Sequence, residues 1–377
     1  MRPLSIVHTE SSLGWGGQEI RILTESQGMI GRGHRVRLLC PSGARIHDEA
    51  ARYGVRVEAL PIGRKNLAGL AAMIGWFRAH RADESCDVIN THSSTDSWLA
   101  ALAMLTLGKP VPIVRTRHIS APVPQNRLSR WLYGRAAARI VTTGDALRRQ
   151  LIEDNRVAPD RIESVPTGID TARFVPGDRA AARAKVGLPA DRVLVGIVAT
   201  LRSWKGHRFL VEACAALPEP IGLVIVGDGP QREALQVMVK ARGLQDRVWM
   251  PGNQVDVVPW LQSFDVFALP SYANEGVPQA LIQAMLVGLP VVTTSAGSIG
   301  ELALDGKTAL VVPGQNAQAL RESLARLLAD PGLRARLGGA ARGHCIERYS
   351  LERMLDRMEA VFRSVTSEPV APAPEAR

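Results

Sequence analysis

An acid and a glycine lie immediately before a helix-forming segment in the stretch Glu275–Pro290. Gly288 and Pro290 end this predicted helix, and the apolar residues Val291–Thr294 that follow predict a strand. The first turn of a helix offers backbone N–H groups without intrahelical partners and a partial positive charge. Such a terminus binds anions, phosphate groups in particular. We therefore predict a site for an anionic ligand at the start of this helix, with Glu275 beside it.

Two cations follow a predicted strand in the same half of the sequence. Arg202 and Lys205 come shortly after Val193–Val198, in a loop that ends at Gly206. At the end of a strand, an arginine suits a pyrophosphate as a planar fork and a lysine suits it as a point charge. A basic pair on the surface is the alternative interpretation. The position of both residues in one loop after a strand favours a phosphate site.

A glycine-rich turn follows the first predicted strand, Leu4–His8, and precedes the first predicted helix. Gly16 and Gly17 are adjacent in this turn, and glycine lets a backbone approach a ligand closely. An ordinary strand-to-helix turn is the alternative, but two adjacent glycines exceed what such a turn requires. The pattern favours a ligand-binding loop.

Two histidines occupy equivalent places in the first half of the sequence. His92 follows the predicted strand Val88–Thr91, and His118 follows the predicted strand Ile113–Arg117. Ligands of open parallel sheets bind at the carboxyl ends of the strands, so both histidines are predicted to point towards the ligand. A lone histidine is more often structural than catalytic, but two at equivalent strand ends favour the site.

Short apolar strands alternate with longer helical segments throughout the sequence. This order predicts parallel sheets covered by helices on both faces. The Pro- and Gly-containing segment Val165–Pro176 interrupts the pattern, which restarts at Val193. A length of 377 residues also favours two domains. We predict an α/β fold of two Rossmann-like, doubly wound domains that face each other across a ligand-binding cleft.

The composition is that of a globular protein with a basic surface. The formal net charge is +10, and residues 97–144 contain no Asp or Glu. Such a field attracts nucleic acid, an anionic membrane or a phosphorylated ligand, whereas a solvated basic surface is the alternative. The segment 126–139, within which residues 128–138 are predicted to be helical, contains Trp131 and Tyr133 among arginines. Membrane docking is a hypothesis for it, and core packing is the stronger alternative. The four scattered cysteines predict reduced thiols in a cytoplasmic protein.

The stretch Glu275–Pro290 resembles the donor-site motif of retaining family 4 glycosyltransferases, which have the GT-B fold. In that motif an acid is followed eight positions later by a second acid. Here the first position holds Glu275 and the second holds Gln283. Gln283 carries no charge, and a neutral amide forms weaker hydrogen bonds to hydroxyl groups than a carboxylate does. The departure predicts weaker donor binding or a changed nucleotide preference.

The basic loop resembles the same family. Lys205 matches a lysine of the family, whereas the family arginine falls on Thr200 and Arg202 lies two residues further along. The resemblance implies four catalytic residues, which are Glu275, Lys205, Arg202 and His118, with His92 on the acceptor side. It implies that the remaining site residues bind the donor, and these are Gly16, Gly17, Asn253, Val255, Gly276, Val277, Pro278 and Gln283. For Asn253 and Val255, a simple turn is an equally good alternative.

The resemblance covers nearly the whole sequence and implies its domain organisation. Residues 1–166 form an acceptor-binding domain, and residues 167–350 form a domain that binds the nucleotide sugar. A helix over residues 351–365 packs back on the first domain, and residues 366–377 are predicted to be disordered.

The implied activity is the transfer of a hexosyl or N-acetylhexosaminyl group from a UDP- or GDP-linked sugar, with retention at the anomeric carbon. The implied acceptor is an envelope glycolipid such as lipopolysaccharide, or a polysaccharide, and not nucleic acid. The protein is expected in the cytoplasm, with peripheral association at the anionic face of the inner membrane. The sequence contains no Asp-x-Asp pair, so no metal ion or other cofactor is expected.

Two alternative functions remain open. A sugar-nucleotide epimerase of the same architecture would convert the donor without an acceptor. A non-catalytic subunit that binds nucleotide sugars is compatible with Gln283 and Thr200. A nicotinamide-dependent dehydrogenase does not fit, because Gly227-Asp-Gly229 lacks the third glycine of the dinucleotide fingerprint.

Overall fold

A computed structural model describes residues 2–80, 86–108, 111–119, 121–218 and 220–366. The chain divides into two compact units. Unit 1 contains Met1–His118, Pro122–Val165 and Met354–Arg377, and unit 2 contains Ile119–Ala121 and Pro166–Arg353. The predicted disordered tail, apart from Thr366, lies outside the described residues.

Unit 1 is built from parallel strands connected by helices. Its strands are β1 (Ser5–Thr9), β2 (Arg35–Cys40), β3 (Arg56–Ala59), β4 (Val88–Thr91), β5 (Ile113–Arg117), β6 (Arg139–Thr142) and β7 (Ile162–Ser164). Its helices are α1 (Gly17–Gly31), α2 (Arg45–Glu49), α3 (Leu67–Ala79), α4 (Ser94–Leu107), α5 (Arg127–Trp131) and α6 (Asp145–Asn155). The strand order is β3-β2-β1-β4-β5-β6-β7. The order reverses between β1 and β4, and a doubly wound sheet binds its ligands at such a point.

Unit 2 repeats this architecture. Its strands are β8 (Val193–Val198), β9 (Ile221–Val226), β10 (Val248–Gly252), β11 (Val266–Leu269), β12 (Val291–Thr293) and β13 (Leu310–Val311). Its helices are α7 (Arg179–Val186), α8 (His207–Ala215), α9 (Arg232–Ala241), α10 (Val258–Ser263), α11 (Gln279–Leu286), α12 (Ala317–Ala329) and α13 (Pro331–Arg348). The strand order is β10-β9-β8-β11-β12-β13, so the reversal lies between β8 and β11.

The central strands form because their sequences are apolar without interruption. Strands β8, β9 and β11 read VLVGIV, IGLVIV and VFAL, and nearly every one of their residues is buried. A parallel sheet with helices on both faces requires such runs. The predicted α/β class of two Rossmann-like, doubly wound domains is confirmed.

The last helix, α14 (Leu351–Thr366), belongs to unit 1 from Met354 onwards. Its buried residues pack on α1, where a Cβ added to Gly28 would lie 2.4 Å from a methyl carbon of Leu355. Arg32, which directly follows α1, pairs with Asp356 at 2.7 Å. The absence of a side chain at Gly28 therefore lets α14 approach α1 closely.

Several elements differ from the sequence pattern. The predicted helix over residues 128–138 is instead α5 followed by one π turn, Leu132–Ala136. Four elements occur where the pattern predicts none, namely α2, α6, α7 and β7. Three of them are short, and α6 is rich in charged residues, so their apolar periodicity is weak.

Candidate functional site

Lys205 and Glu275 form an ion pair at the point where the strand order of unit 2 reverses. Lys205 follows β8, Glu275 follows β11, and Lys205 Nζ lies 2.7 Å from Glu275 Oε1. Glu275 is 4% exposed, and the Lys205 side chain is 19% exposed. Among the described residues, Glu275 Oε1 has no partner in hydrogen-bond geometry. The carboxylate therefore has one counter-ion and an unused capacity to accept hydrogen bonds.

The backbone of Glu275 is fixed by a close approach that only glycine permits. Gly297 has φ +57°, and a Cβ added to it would lie 2.0 Å from the Glu275 carbonyl oxygen. The same oxygen accepts a hydrogen bond from Ser298 N at 3.3 Å. Asn274, the preceding residue, has φ 59°, and asparagine tolerates this left-handed conformation better than most residues. The segment after β12 thus sets the position of Glu275.

The Lys205 loop is held by the segment that follows β11. Gly206 has φ +76°, and a Cβ at this position would lie 2.1 Å from the carbonyl oxygen of Pro270. Tyr272 N donates to the carbonyl oxygen of Trp204 at 2.8 Å. The two loops that carry the ion pair are therefore fastened to each other.

Helix α11 begins four residues after Glu275. Gly276, Val277 and Pro278 are buried, and Pro278 is the residue before the first helical turn. Proline suits this place because its fixed φ matches the start of a helix and no N–H is needed. Gln283, on the second turn of α11, is half-buried.

The other predicted residues of unit 2 are exposed. The guanidinium carbon of Arg202 lies 5.7 Å from the centre of the Trp204 ring. Asn253 is exposed, and Val255 is 81% exposed. The structure thus brings Lys205 to Glu275 and leaves these three side chains on the surface of unit 2.

The glycine-rich loop of unit 1 is held by a buried carboxyl group that the sequence analysis does not identify. Glu10 follows β1 and accepts hydrogen bonds from Ser12 N, from Gln18 Nε2 and from Ser93 Oγ. Ser12 and Gln18 flank the loop that contains Gly16 and Gly17. Ser93 precedes α4. Glu10 therefore connects the start of α1 to the start of α4.

Asp96 of α4 lies next to Glu10 and is also buried. It accepts hydrogen bonds from Thr9 Oγ1 at 2.7 Å and from His92 N at 3.0 Å. Burial, followed by the charge of Asp96, raises the pKa of Glu10 to about 8. Burial raises the pKa of Asp96 to about 6. Burial and the charge of Asp96 therefore favour the protonated form of Glu10, against the hydrogen bonds that it accepts from Ser93 and Ser12.

The titration of Glu10 should make the protein less stable as pH rises, and Glu10→Gln should remove this effect. The pKa of Glu10 is raised from 4.5 to about 8, so within this window the folded state keeps a proton that the unfolded state has lost, and folding weakens as pH rises. Urea unfolding of the wild type and of Glu10→Gln at about pH 6.5 and about pH 8.5 measures this as the difference between the two proteins, because the buried histidines, which act in the opposite sense, contribute to both. The exposed Glu233→Gln is the control. A stability difference between the wild type and Glu10→Gln that stays constant across this range contradicts the assignment.

Three histidines end neighbouring strands of unit 1. His8 Nδ1 lies 2.9 Å from His92 Nε2, and His92 Nδ1 lies 2.9 Å from His118 Nε2. Burial, followed by the charge of Arg21, lowers the pKa of His8 to about 3. Burial also holds the pKa values of His92 and His118 well below their usual range. The structure therefore brings the two predicted histidines together and adds a third.

Sequence signals existed for some of the residues that the analysis missed. Ser93-Ser-Thr-Asp96 is a capping box, in which the side chains of the first and fourth residues bond each other's backbone N–H groups. His8 and Glu10 are polar residues at the end of a buried strand, which is where ligand sites of this architecture lie.

The basic-aromatic segment 126–139 is partly packed into unit 1. Leu132 and Tyr133 are buried, and the Trp131 ring is half-buried and stacks on Trp98 with ring centres 5.8 Å apart. Arg127 and Leu128 are exposed. Core packing therefore accounts for the aromatic residues. Within the described parts of the chain, every helix is too short or too polar to traverse a lipid bilayer.

Two family models match the chain in succession. Glycosyltransferase Family 4 matches residues 15–173, and Glycosyl transferases group 1 matches residues 178–344. The chain is 31% identical over 373 residues to a D-inositol 3-phosphate glycosyltransferase of Xylanimonas cellulosilytica, with 87% of each chain covered. That relative is named for inositol phosphate and not for lipopolysaccharide.

Solved structures share the fold across the full length. A glycosyltransferase from Rickettsia africae has a TM-score of 0.86 at 19% identity and covers 98% of this chain and 100% of its own. The Anabaena protein Alr3699/HepE, in complex with UDP, has a TM-score of 0.85 at 20% identity and covers 96% of this chain and 100% of its own. The predicted GT-B fold is confirmed.

Proposed function

Because this chain belongs to the group 1 and family 4 glycosyltransferases, we propose that it transfers a sugar from a nucleotide-diphosphate donor, with retention at the anomeric carbon. The acceptor is a hydroxyl group of a phosphate-bearing molecule. Unit 2 binds the donor and unit 1 binds the acceptor.

One observation carries this proposal, namely the ion pair of Lys205 and Glu275 beside the first turn of α11. A cation and a helix N-terminus suit the negative charge of a diphosphate. Glu275 Oε1 is buried, and among the described residues nothing bonds to it in hydrogen-bond geometry. A carboxylate has several lone pairs, so Glu275 can accept a hydrogen bond from a sugar hydroxyl in addition to its contact with the Lys205 ammonium group. The three groups together therefore match a ligand with a diphosphate at one end and hydroxyl groups at the other.

The chemistry follows from these charges. As the bond between the anomeric carbon and the diphosphate breaks, the acceptor oxygen bonds to that carbon on the same face, and the hydroxyl proton passes to the departing diphosphate oxygen. Negative charge grows on the leaving oxygen before it takes the proton, and Lys205 and the N–H groups of α11 stabilise it. Positive charge grows on the sugar ring, and the carboxylate of Glu275 stabilises it and positions the hydroxyl groups. Lys205 and the helix dipole thereby take the part that a bound cation has in other enzymes, and we propose that transfer needs no metal ion.

The phosphate-bearing acceptor is supported by two observations. The relative from Xylanimonas cellulosilytica is named for D-inositol 3-phosphate. Residues 97–144, which lie in or next to unit 1, contain no Asp or Glu to repel an anion. An envelope glycolipid, such as lipopolysaccharide, is the alternative acceptor. It also bears phosphate, and therefore the assay must include both types.

Sugar transfer and donor binding test the proposal together. UDP-, GDP- and ADP-linked hexoses are incubated with the protein and either D-inositol 3-phosphate or phosphorylated glycolipid, with and without EDTA. We expect a UDP-linked donor to give a glycosylated product at the same rate with and without EDTA. NMR of that product should show that the configuration at the anomeric carbon is retained. At one hundred times its Kd, the donor should raise the free energy of unfolding by about 2.7 kcal/mol.

The outcomes distinguish the alternatives. Conversion of the donor to an epimer without acceptor would indicate an epimerase. Thermal stabilisation by a donor without turnover on either acceptor would indicate a binding subunit. Loss of transfer in EDTA that is restored by added Mg²⁺ would refute a metal-free mechanism.

Peripheral binding to anionic membranes is a further part of the proposal, and it is supported by the exposed Arg127, Arg130 and Arg135. Each exposed arginine near an anionic surface contributes ~1 kcal/mol, so the variant with all three changed to alanine should lose most binding to phosphatidylserine vesicles in a flotation assay. The control changes Arg192, Arg208 and Arg242, which lie in unit 2, to alanine. Equal binding by the wild type and the first variant would remove this surface from the proposal.

A further inference from the structure

The three histidines of unit 1 are joined head to tail. In each contact, Nδ1 of one ring faces Nε2 of the next, from His8 through His92 to His118. Burial keeps the rings neutral, since the pKa of His8 falls to about 3 and those of the other two fall well below the usual value. A neutral imidazole has one N–H and one bare nitrogen. Both hydrogen bonds therefore form only if all three rings carry the proton on Nδ1, or all three carry it on Nε2.

His8 is the buried end of this row of three histidines, which we call the histidine chain. Its surroundings select between the Nδ1–H and the Nε2–H arrangement. His8 is fully buried, and its Nε2 has no hydrogen-bond partner among the described residues. With protons on Nε2, this atom would be a buried N–H without an acceptor, which proteins avoid. With protons on Nδ1, the same atom is a bare nitrogen, and the nearby charge of Arg21 favours a lone pair over an N–H at His8.

Arginine charges act at His118 in the opposite sense but more weakly. Arg21, which also acts on His8, followed by Arg115 and Arg117, would favour a bare nitrogen on His118. Arg115 and Arg117 already donate to oxygen, Arg115 to the Ser93 carbonyl at 3.0 Å and Arg117 to the Tyr133 hydroxyl at 3.2 Å. Their charges act on His118 only through the electric field of neighbouring groups. An N–H on His8 Nε2 would instead be a buried donor without an acceptor, which costs a whole hydrogen bond. The state with protons on Nδ1 is therefore favoured.

We propose that His8 and His92 are positioning residues that commit His118 to the Nδ1–H form, so that His118 presents a hydrogen-bond donor to an oxygen atom of the substrate. This role for His118 rests on the proposed function. The proton placement itself rests only on the arrangement of the three rings. His118 then orients or stabilises an oxygen and does not act as a general base. The three histidines also carry no proton to the interior, because in the part of the protein that the structure describes His8 Nε2 has no hydrogen-bond partner with which to exchange one.

The fixed position of the middle ring supports this role. The His92 backbone N donates to Asp96 Oδ2 at 3.0 Å, and the rings of His8 and His92 lie nearly parallel with centres 5.2 Å apart. On its other side, His8 meets the ring of Phe362 edge to face at 6.3 Å. These contacts leave the first two rings little freedom to rotate and exchange their nitrogens.

Nitrogen NMR of the full-length protein tests the proton placement directly. Histidines labelled with ¹⁵N report through their couplings to ring carbon-bound protons which nitrogen carries the proton. Single His→Gln variants assign the three signals. We expect Nδ1–H for His8, His92 and His118 at neutral pH. An Nε2–H form at His118, or different forms within the chain, would overturn the proposal whatever the substrate is.

Variants at the buried end test the coupling. In His8→Asp an acceptor takes the place of His8 Nδ1, so the proton should move to His92 Nε2, and His118 should change to the Nε2–H form and donate to His92 Nδ1. The value of kcat should then fall about tenfold, as expected for one hydrogen bond, with little change in KM for the donor. His8→Phe leaves His92 Nε2 buried without an acceptor, so His118 should keep its Nδ1–H signal. Phe362→Leu is the packing control. It alters the packing around His8 but changes none of the three histidines, so their ¹⁵N signals should stay as in the wild type.

Two results would refute the role of His8. One is an Nδ1–H form of His118 in a folded His8→Asp variant, and the other is an Nε2–H form of His118 in His8→Phe. Far-UV circular dichroism and donor binding, which depends on unit 2, establish that each variant is folded. If no sugar is transferred by the wild type, the proposed function fails, but the NMR result still decides the proton placement.

Discussion

Glu275→Ala is expected to reduce sugar transfer by about 10²–10³-fold, the typical effect of removing one group that stabilises charge in a transition state. The carboxylate is buried at the point where the strand order of unit 2 reverses, and its backbone is fixed by Gly297 and Ser298. The loss should appear in kcat, because the positive charge on the sugar develops only as the bond breaks. Initial rates at saturating donor measure it.

The protein should remain folded in this variant. Its partner Lys205 is partly exposed and can be hydrated when the carboxylate is lost, so stability should change by no more than about 1 kcal/mol. Glu275→Gln separates the charge from the hydrogen bond, and Glu233→Ala, an exposed acid of the same unit, controls for nonspecific effects. Turnover of Glu275→Ala within a few-fold of the wild type would refute the assigned role.

Lys205→Met should weaken donor binding and destabilise unit 2 as well. The methionine keeps most of the stem but not the charge, so the diphosphate loses its counter-ion and transfer should fall about 10²-fold or more. Glu275 is more deeply buried than Lys205 and is left without a counter-ion. Breaking a fully buried pair costs 3–5 kcal/mol, and the partial exposure of Lys205 reduces this to about 1–3 kcal/mol. Urea unfolding and donor titration measure the two effects.

A double variant tests whether these effects share one origin. Because Lys205→Met, Glu275→Gln removes both charges, its stability should exceed that of Lys205→Met alone. Donor binding should stay weak in both. If the double variant is as unstable as the sum of the single variants, the ion pair is not the cause of the stability loss.

The fold class followed from the sequence because its signals are local. The apolar runs of β8, β9 and β11 can be buried on both faces only in a parallel sheet. Elements with weak signals were not predictable. Strand β7 has three residues, and the segment of α6 is too polar for a clear apolar face. Their structure depends on packing against neighbours that are distant in the sequence.

The candidate site was predictable only in part. Lys205 and Glu275 were identified from motifs, because each motif contains its own glycines, strand and helix. Glu10 and His8 were not. In the sequence alone, His8 looks like a break in an apolar strand. In the structure, His8 pairs with Asn90 of β4, and this pairing brings His92 beside His8. That pairing joins residues more than eighty positions apart.

By itself, the sequence determined the class of fold, the helix terminus that we propose as an anion site and the charges near it in the sequence, since these depend on short-range patterns of burial and polarity. The tertiary structure decided which charges meet. It paired Lys205 with Glu275, left Arg202 over Trp204, and joined three histidines into one chain. The physical reason is that ion pairs and hydrogen bonds act over a few ångströms, and only the order of strands in a sheet determines which loops come that close.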